Sequence, residues 1–487
     1  MDKVYVSNPR IVVIGAGMAG ILTAIQLHRH GYDDFVVYEK GDRLGGTWRE
    51  NTYPGLACDV PAHLYTYSFE PNPSWSQTFA PGPEIAKYFE GVARKYQVLD
   101  GIRFGVEIER CEFRDGRWQL TMSGGRRDVA DVVIAATGVL HHPNIATFPG
   151  LESFEGAHFH SARWNHSVPL DGRRIGVIGT GSTAIQITSA LTKRVAKFLL
   201  FQRTAQWVMP IENNFYTEAE KKRFATDPAA LDEFRDEQNA KFQFFANGVI
   251  DAESDAIKLI EAACLANLED NVKDPVLREK LRPNYRAACK RLIFSPDFYQ
   301  AIQEPSADVI TSPIERVEPK GIRTKDGVLH ELDVIVIATG FRPDRFIRPT
   351  VVRGKGGIDL DDVWSEHPVA YLSISVPGFP NFFMINGPNG PVGNFSLIQI
   401  AEAQVAYILQ LLEQLRIGTC REISANVHAT AWFEQKRSEA AKKSIWATGC
   451  KSWYLDKRGV PASWPWTPSR FFEEMNRPKL EFYDQVA

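Results

Sequence analysis

Two glycine-rich turns, each placed between a strand-like run and a helix-like stretch, constrain the fold of this chain more than any other feature. The first, GAGMAG at Gly15–Gly20, follows the apolar run Ile11–Ile14 and opens the apolar-periodic stretch Ile21–Leu27. The second, GTGSTA at Gly179–Ala184, follows Arg174–Ile178. A strand that turns sharply into a helix through glycines is typical of a dinucleotide-binding unit. The repetition predicts two such units and two nucleotide cofactors.

The first turn has the residues of a site for a dinucleotide with a free ribose 2′-hydroxyl. Gly15 permits the tight turn, Gly17 lets the backbone approach a pyrophosphate, and Gly20 allows the helix to pack closely on the strand. The N–H groups at the helix N-terminus favour phosphates. The next strand-like run, Phe35–Tyr38, ends at Glu39, a carboxylate that suits the hydroxyl. A glycine loop that binds nothing is the less favoured interpretation.

The second turn differs in the charge that follows it. The next strand-like run, Lys197–Phe201, leads to Arg203 and Thr204 without a carboxylate. An arginine pairs with a 2′-phosphate, which a carboxylate would repel, so this site predicts NADPH and leaves FAD for the first turn. A solvated surface charge is the alternative interpretation of Arg203. The predicted NADPH contacts are Gly179, Thr180, Gly181, Ser182, Thr183, Arg203 and Thr204.

Length and charge exclude several classes of protein. A chain of 487 residues exceeds what a single core supports, so two or three domains are expected. The net charge of −3 gives no reason to expect a nucleic-acid partner or an anionic membrane surface. No apolar run is long enough to span a bilayer, and the N-terminal residues lack the apolar region of a signal peptide. We therefore expect a cytoplasmic protein.

The cysteines are scattered and form no closely spaced pair. This spacing argues against a disulfide framework, a zinc site and a redox-active dithiol, and it sets aside the disulfide reductases that also bind two nucleotides. His141 and His142 have no ligand partners at metal-binding spacing, so no metal site is predicted. The cysteines are Cys58, Cys111, Cys264, Cys289, Cys420 and Cys450.

The order of the patterns predicts an α/β fold with two Rossmann-like domains, one for FAD and one for NADPH, and a mainly helical insertion in the NADPH domain. Charged, helix-forming sequence at Glu218–Leu281 marks the insertion. Two strands that end in Ala-Thr-Gly, at Ala136–Gly138 and Ala338–Gly340, indicate crossings between the domains. The predicted segments are 1–145 (FAD), 146–210 (NADPH), 211–290 (insertion), 291–341 (NADPH) and 342–487 (FAD).

Several motifs together give the chain a family resemblance. The segment Phe154–Trp164, FEGAHFHSARW, lies between the two nucleotide units and contains an F-x-G-x-x-x-H-x-x-x-W pattern. A longer pattern, G-G-x-W-x-x-x-x-Y-P-G-x-x-x-D, runs from Gly45 to Asp59. Over nearly its full length the chain resembles the type I Baeyer–Villiger monooxygenases, relatives of the flavin-containing monooxygenases. Trp164 favours the Baeyer–Villiger branch, whereas Asn165 departs from the Pro or Asp that is usual there.

The resemblance also implies roles for particular residues. YRAACKR at Tyr285–Arg291 resembles the segment with the active-site arginine, which makes Arg291 the catalytic arginine and Lys290 a partner of the 2′-phosphate. Asp59 is implied to orient Arg291 and to lie in the FAD site. The Trp of CKSWY, Trp453, is implied to contact the nicotinamide nucleotide. The FAD contacts expected are Gly15, Gly17, Gly20, Glu39, Gly46, Thr47, Trp48, Asp59 and Tyr65.

The resemblance implies that FAD reduced by NADPH reacts with O2, and that the resulting C4a-peroxyflavin inserts one oxygen atom next to a ketone carbonyl. An ester or lactone results. N- or S-oxygenation by the same flavin species is the alternative, and a non-enzymatic flavoprotein is a third. From residue type alone, Arg291 is better explained as a helix-end salt bridge, and a helix cap before Pro61 is the alternative interpretation of Asp59. We expect His160 to organise hydrogen bonds and Trp164 to pack. The expected assembly is a monomer or weak homo-oligomer.

Overall fold

Two all-parallel sheets carry the two glycine-rich turns. The computed structural model describes residues 8–393 and 395–487. The strands are β1 (Ile11–Ile14), β2 (Phe35–Glu39), β3 (Ile102–Phe104), β4 (Ile108–Arg114), β5 (Arg117–Met122), β6 (Arg127–Ala130), β7 (Val132–Ala135), β8 (Ala157–His160), β9 (Arg174–Ile178), β10 (Lys197–Phe201), β11 (Val208–Pro210), β12 (Ile293–Ser295), β13 (Ala307–Ile310), β14 (Ile314–Glu318), β15 (Gly321–Thr324), β16 (Leu329–Glu331), β17 (Val334–Ile337), β18 (Val351–Arg353), β19 (Phe382–Met384), β20 (Glu422–Ala425) and β21 (Tyr483–Val486).

The helices connect these strands. They are α1 (Met18–Arg29), α2 (Thr47–Glu50), α3 (Gly82–Lys95), α4 (Ser182–Leu191), α5 (Glu218–Thr226), α6 (Pro228–Val249), α7 (Asp255–Asn271), α8 (Pro275–Lys280), α9 (Phe298–Ala301), α10 (Leu360–Val363), α11 (Leu397–Arg416), α12 (Val427–Ala441) and α13 (Pro468–Asn476). None of the helices within residues 8–393 and 395–487 is long and apolar enough to cross a membrane.

The first sheet has the strand order β19–β7–β1–β2–β3, and every neighbouring pair is parallel. The central strands β1 and β7 are buried along their whole length, which is why their sequences IVVI and VVIA are continuously apolar. Helix α1 leaves β1 through the first glycine-rich turn and packs against α11 and α3. Because β19 comes from late in the sequence, the C-terminal part of the chain returns to the sheet that the N-terminal part begins.

The second sheet repeats the arrangement in the order β13–β10–β9–β17–β8, again with parallel neighbours. Helix α4 connects β9 to β10 and starts at the second glycine-rich turn. The segment FEGAHFHSARW supplies the edge strand β8, which pairs with β17. The family-like segment is thus built into the sheet of the second nucleotide unit.

The helical segment begins and ends at one short two-stranded sheet. β11 and β12 pair in parallel, and α5, α6, α7 and α8 lie between them in sequence. Each of these helices starts at a side chain that accepts a backbone N–H hydrogen bond, which satisfies donors that a helix leaves unpaired. The capping residues are Thr217, Asp227, Ser254 and Asp274. Helix α6 also packs against residues 62–64 of the first unit.

The predicted α/β fold with two Rossmann-like units and a helical insertion is confirmed. The predicted strands Ile11–Ile14, Arg174–Ile178 and Lys197–Phe201 have the predicted bounds. The predicted strand Phe35–Tyr38 continues one residue further, to Glu39. Residues 1–7 of the predicted first segment lie outside the described part of the chain.

Close packing at the first turn generates a stability prediction. A Cβ on Gly20 would overlap the carbonyl oxygen of Gly15, whereas a Cβ on Gly181 would meet no heavy atom within 4 Å. We expect Gly20→Ala to destabilise the first unit by about 1–3 kcal/mol, because overpacking forces the backbone to shift. Urea unfolding followed by circular dichroism measures the effect. Gly181→Ala is the matched control, and equal midpoints for both variants would contradict this account of the turn.

Candidate active site

The first glycine-rich turn presents free backbone donors beside a buried carboxylate. Helix α1 begins after Gly17, and no described side chain caps it. Glu39 is 4% exposed and accepts hydrogen bonds from the backbone N–H groups of Ala16 at 2.8 Å and Gly41 at 2.7 Å. The Arg49 guanidinium donates a third bond at 2.9 Å. A carboxylate has about four acceptor positions, so Glu39 retains one for a ribose hydroxyl.

The segment that leads into α2 closes over the same turn. The Gly45 N–H donates to the Ala16 carbonyl at 3.0 Å. Gly46 has a φ of +53°, and a Cβ on it would lie 3.0 Å from the Cα of Gly17. Two glycine backbones therefore face each other at a separation that side chains would not allow. This narrow cradle fits the pyrophosphate of FAD.

Thr47 and Trp48 extend this cradle toward an aromatic wall. Thr47 is the first residue of α2, directly after Gly46. The indole Nε1 of Trp48 donates to the Tyr65 hydroxyl at 3.3 Å, and the two rings meet edge to face. Burial raises the pKa of the Tyr65 phenol, so it stays a neutral hydrogen-bonding group.

The second turn has the same open helix end. Helix α4 begins after Gly181, again without a described side-chain cap, and its first residues are Ser182 and Thr183. The Thr180 hydroxyl donates to the carbonyl of Thr204 at 2.9 Å, which ties the turn to the end of β10. Free N–H groups at a helix N-terminus favour phosphate. The residues present therefore fit a second dinucleotide.

Positive side chains gather where β10 ends. Arg203 and Thr204 line a cleft of about 810 Å³, together with Lys280 and Arg282 from the end of the helical segment. Lys290 lies near Arg203, since burial and then the Arg203 charge lower the pKa of its ammonium group. Cations that face each other in this way would be stabilised by a phosphate. This cleft is separate from the ion pair that contains Arg291.

An ion pair between Asp59 and Arg291 connects the two nucleotide units. The guanidinium of Arg291 donates from Nε and Nη2 to the same Asp59 oxygen, at 3.1 and 2.5 Å, across 232 residues of sequence. Burial is the largest influence and opposes the charge of Arg291, but Asp59, with smaller contributions from Tyr454 and Cys58, raises the pKa of Arg291 above its ordinary value. Arg291 is therefore positively charged at neutral pH.

The CKSWY segment packs next to this ion pair. The Trp453 ring stacks on the Tyr454 ring with centroids 4.1 Å apart. Burial raises the pKa of Tyr454, and the adjacent Arg291 charge opposes that rise. A Cβ on Gly393 would collide with the Tyr454 hydroxyl. Asn394, the residue after Gly393, lies outside the described residues.

One prediction from the cysteine pattern is wrong. Cys289 and Cys450 form a disulfide across 161 residues, with Cα atoms 6.2 Å apart. Spacing rules detect only close pairs, and these cysteines come together because the fold brings two distant loop segments into one cluster. No spacing or periodicity in the sequence indicates this pair, although each cysteine lies inside a family-like motif. The free cysteines Cys58, Cys111, Cys264 and Cys420 are buried.

Backbone hydrogen bonds and aromatic packing make up the recorded contacts of His141, His142, His160 and Trp164. The Nδ1 of His160 accepts the backbone N–H of Ala162 at 3.1 Å, and burial lowers the pKa of its ring. Trp164 packs edge to face on Phe159. His141 and His142 hydrogen-bond to the backbone carbonyls of Phe346 and Arg348. These contacts tie the crossing after β7 to the chain that follows β17.

Sequence reasoning missed a contact between the two nucleotide units. The Tyr53 hydroxyl donates to Gln186 of α4 at 2.8 Å, and the Gln186 amide donates to the Ala57 carbonyl at 3.0 Å. Gly55, with a φ of +82°, permits the approach, since a Cβ there would lie 2.5 Å from the Gln186 carbonyl. The Y-P-G motif signalled a constrained turn, but not its partner.

Comparison with known proteins places this geometry in a family. A family profile described as flavin-binding monooxygenase-like (FMO-like) matches residues 8–218. An uncharacterized monooxygenase of Mycobacterium tuberculosis is 45% identical over 98% of this chain and 96% of its own length. A Baeyer–Villiger monooxygenase of Streptomyces coelicolor is 38% identical over 97% of this chain and 92% of its own length.

A solved structure agrees with these relatives. The cyclohexanone monooxygenase of Rhodococcus sp. Phi1, bound to NADP+, has a TM-score of 0.88 and 28% identity. The match covers 98% of this chain and 99% of that chain. Fold, nucleotide turns and relatives agree on FAD and NADPH as the cofactors. The chain belongs to the type I Baeyer–Villiger monooxygenases of the flavin-containing monooxygenase superfamily.

Proposed function

We propose that this flavin-dependent Baeyer–Villiger monooxygenase uses Arg291, oriented by Asp59, to insert an oxygen atom next to a ketone carbonyl. A ketone, O2, NADPH and a proton would give an ester or lactone, water and NADP+. The observation that carries the proposal is the ion pair of Asp59 with Arg291, in which one carboxylate oxygen accepts from two guanidinium nitrogens.

The residues that would hold the cofactors form two groups. When bound, NADPH supplies a hydride to FAD, and reduced FAD supplies the activation of O2. The FAD group is Gly15, Gly17, Gly20, Glu39, Gly46, Thr47, Trp48, Asp59 and Tyr65. The NADPH group is Gly179, Thr180, Gly181, Ser182, Thr183, Arg203, Thr204, Lys290 and Trp453. Open helix ends, the glycine cradle and the cationic cleft support this division.

Arg291 suits the reaction because its charge is permanent and its donors are rigid. Addition of an oxygen nucleophile to a ketone places negative charge on the carbonyl oxygen, and a fixed cation stabilises that charge best in a site from which water is excluded. Asp59 uses only part of the guanidinium fork, at Nε and Nη2. Three of the five N–H donors of the guanidinium therefore remain, and those not taken by the neighbouring Tyr454 are left for the substrate or for the oxygen that attacks it.

Oxygenation of amines or sulfides is the second candidate, since it needs no cation at a carbonyl oxygen. The charged Arg291 favours the ketone. Incubation with a cyclic ketone, an aryl ketone and a thioether, with products identified by mass, separates the two. Ester from either ketone supports the proposal, and sulfoxide as the sole product contradicts it.

The sequence leaves three further properties as predictions. They are a cytoplasmic location, a monomeric or weakly associated state, and the division into the segments 1–145, 146–210, 211–290, 291–341 and 342–487. The identity of the ketone depends on the loops that line the pocket.

Coenzyme choice tests the cationic cleft. We expect Arg203→Ala to raise KM for NADPH by about ten- to hundredfold and to leave KM for NADH unchanged, since a charge-assisted phosphate contact contributes about 1.5–3 kcal/mol. Steady-state kinetics with both coenzymes provides the measurement. Arg194→Ala, an exposed arginine of the same unit that pairs with Asp171, is the control. An equal effect on both coenzymes would place the phosphate elsewhere.

Separation of the two half-reactions tests Arg291. In Arg291→Ala, NADPH should still reduce the flavin, because hydride transfer depends on the position of the nicotinamide. Ester formation should fall by about a hundred- to a thousandfold, since removal of one such stabilising group costs about 2.7–4 kcal/mol. Asp59→Asn should act in the same direction but less strongly, by misdirecting the guanidinium.

Anaerobic stopped-flow follows flavin reduction, and product analysis follows the ester. Arg286→Ala is the matched control, because Arg286 lies in the same loop segment and pairs with Glu261. Ester formation at the normal rate in Arg291→Ala would refute the assigned role.

A further inference from the structure

The disulfide lies between the proposed catalytic arginine and the CKSWY segment. Cys289 precedes Arg291 by two positions, and Cys450 precedes Trp453 by three. Both cysteines belong to one buried cluster that also contains Leu292 and Tyr454. The only covalent bond between these two parts of the chain, apart from the backbone, is therefore adjacent to the residues that would carry out the reaction.

The two segments that the disulfide joins lack regular structure. Residues 281–292 lie between α8 and β12, and residues 448–455 lie between α12 and α13, without helix or strand in either. Ala288, immediately before Cys289, has a φ of +61°, a conformation that costs a non-glycine residue free energy and persists only where its surroundings hold it. A cross-link next to Ala288 supplies such a restraint. Loss of the bond would remove this restraint from both segments.

We propose that Cys289 and Cys450 form a redox-reversible clamp that positions Arg291 against the CKSWY segment. The proposal rests on the function assigned above to Arg291. In the disulfide form, Arg291 and Trp453 are held in the geometry that directs oxygen to the ketone. In the dithiol form, the segments separate, and NADPH and O2 are converted to NADP+ and hydrogen peroxide instead of to ester and water.

The chemistry of the clamp balances. Reduction adds two electrons and two protons to the disulfide and gives two thiols, with a cellular or added dithiol as the electron donor. In the reverse direction, one thiol loses its proton and attacks hydrogen peroxide as a thiolate; the O–O bond breaks, and the proton goes to the leaving hydroxide, which gives a sulfenic acid and water. The second thiol then attacks that sulfur, and another water leaves. Peroxide released by failed turnover would thus restore the clamp.

The two sulfur atoms of the disulfide differ in how easily a thiol from solution can reach them. Cys289 is 1% exposed and is followed by half-buried Lys290, whereas Cys450 is 7% exposed and lies between exposed Gly449 and Lys451. Thiol–disulfide exchange requires access to a sulfur atom. Attack at Cys450, after a small opening of its segment, is therefore the expected route.

The first experiment establishes the redox state without an activity assay. The holoenzyme is treated with hydrogen peroxide or with tris(2-carboxyethyl)phosphine, denatured, alkylated and weighed by mass spectrometry. Because the chain has six cysteines, of which two are paired, four alkyl groups are expected after peroxide and six after phosphine. Hydrogen exchange should also accelerate in residues 448–455 after reduction. Six alkyl groups in both samples would overturn the proposal.

The second experiment measures how oxidation state controls product. Reduction of the disulfide in the wild type should raise, by roughly tenfold, the fraction of consumed NADPH that yields hydrogen peroxide rather than ester, since small misplacements in an active site have effects of this order. Anaerobic flavin reduction should persist, but the NADPH concentration that it needs should rise, because Lys290 and Trp453 lie in the same two segments. Reoxidation should restore coupling in the wild type but not in Cys289→Ser/Cys450→Ser. Cys111→Ala, which removes a buried cysteine of β4, is the control.

The two proposals fail in different ways. Normal ester formation in Arg291→Ala would refute the role of Arg291, whatever the disulfide does. An inactive Arg291→Ala beside equal coupling in oxidised, reduced and double-serine protein would refute the clamp alone. Single variants Cys289→Ala and Cys450→Ala, and reduction of the wild type, keep the test valid if the double variant does not fold.

Discussion

The ion pair of Asp59 with Arg291 is the interaction on which the proposed chemistry depends. Its two members are 232 residues apart in sequence and come from different nucleotide units. Removing one partner of this half-buried pair leaves the other charge without its compensation, which is destabilising. Because the pair joins the two units, it fixes where the positive charge of the site lies. The guanidinium is charged in any surroundings, and Asp59 sets its orientation.

Local sequence patterns predicted the frame of the fold, and together with the family resemblance they supplied the candidate residues of the site. The bounds of β1, β9 and β10 followed from apolar runs, because strands buried on both faces are continuously apolar; only the first residues of β9 and β10, Arg174 and Lys197, are charged. The turns followed from glycines, and at Gly15, Gly20 and Gly179 a Cβ would overlap a backbone carbonyl oxygen. Pairing of Asp59 with Arg291 was inferred from family resemblance, since nothing in residue type or spacing joins such distant positions. The geometry supplies the contact itself.

Contacts between distant segments were beyond sequence reasoning. Cys289 and Cys450 are a buried pair whose proximity results from the packing of two irregular loops. The hydrogen bonds from Tyr53 to Gln186 and from Gln186 to Ala57 depend on the angle between the two units. The sequence also did not show that three protein groups donate hydrogen bonds to the Glu39 carboxylate, because two of them are backbone N–H groups. Each of these contacts depends on tertiary structure, which the hydrophobic periodicity of a sequence does not encode.

The parallel pairing of β11 with β12 has a consequence for how this architecture diversifies. The helical segment leaves and rejoins the second unit at adjacent positions, so its ends are already held together. Extra residues inserted between β11 and β12 cost little conformational entropy, because the entropy of loop closure grows only with the logarithm of loop length. Arg291 lies just before β12, on the anchored side of the excursion. Insertions and deletions in the helical segment could thus change its surface over evolutionary time, while Arg291 keeps its position beside β12.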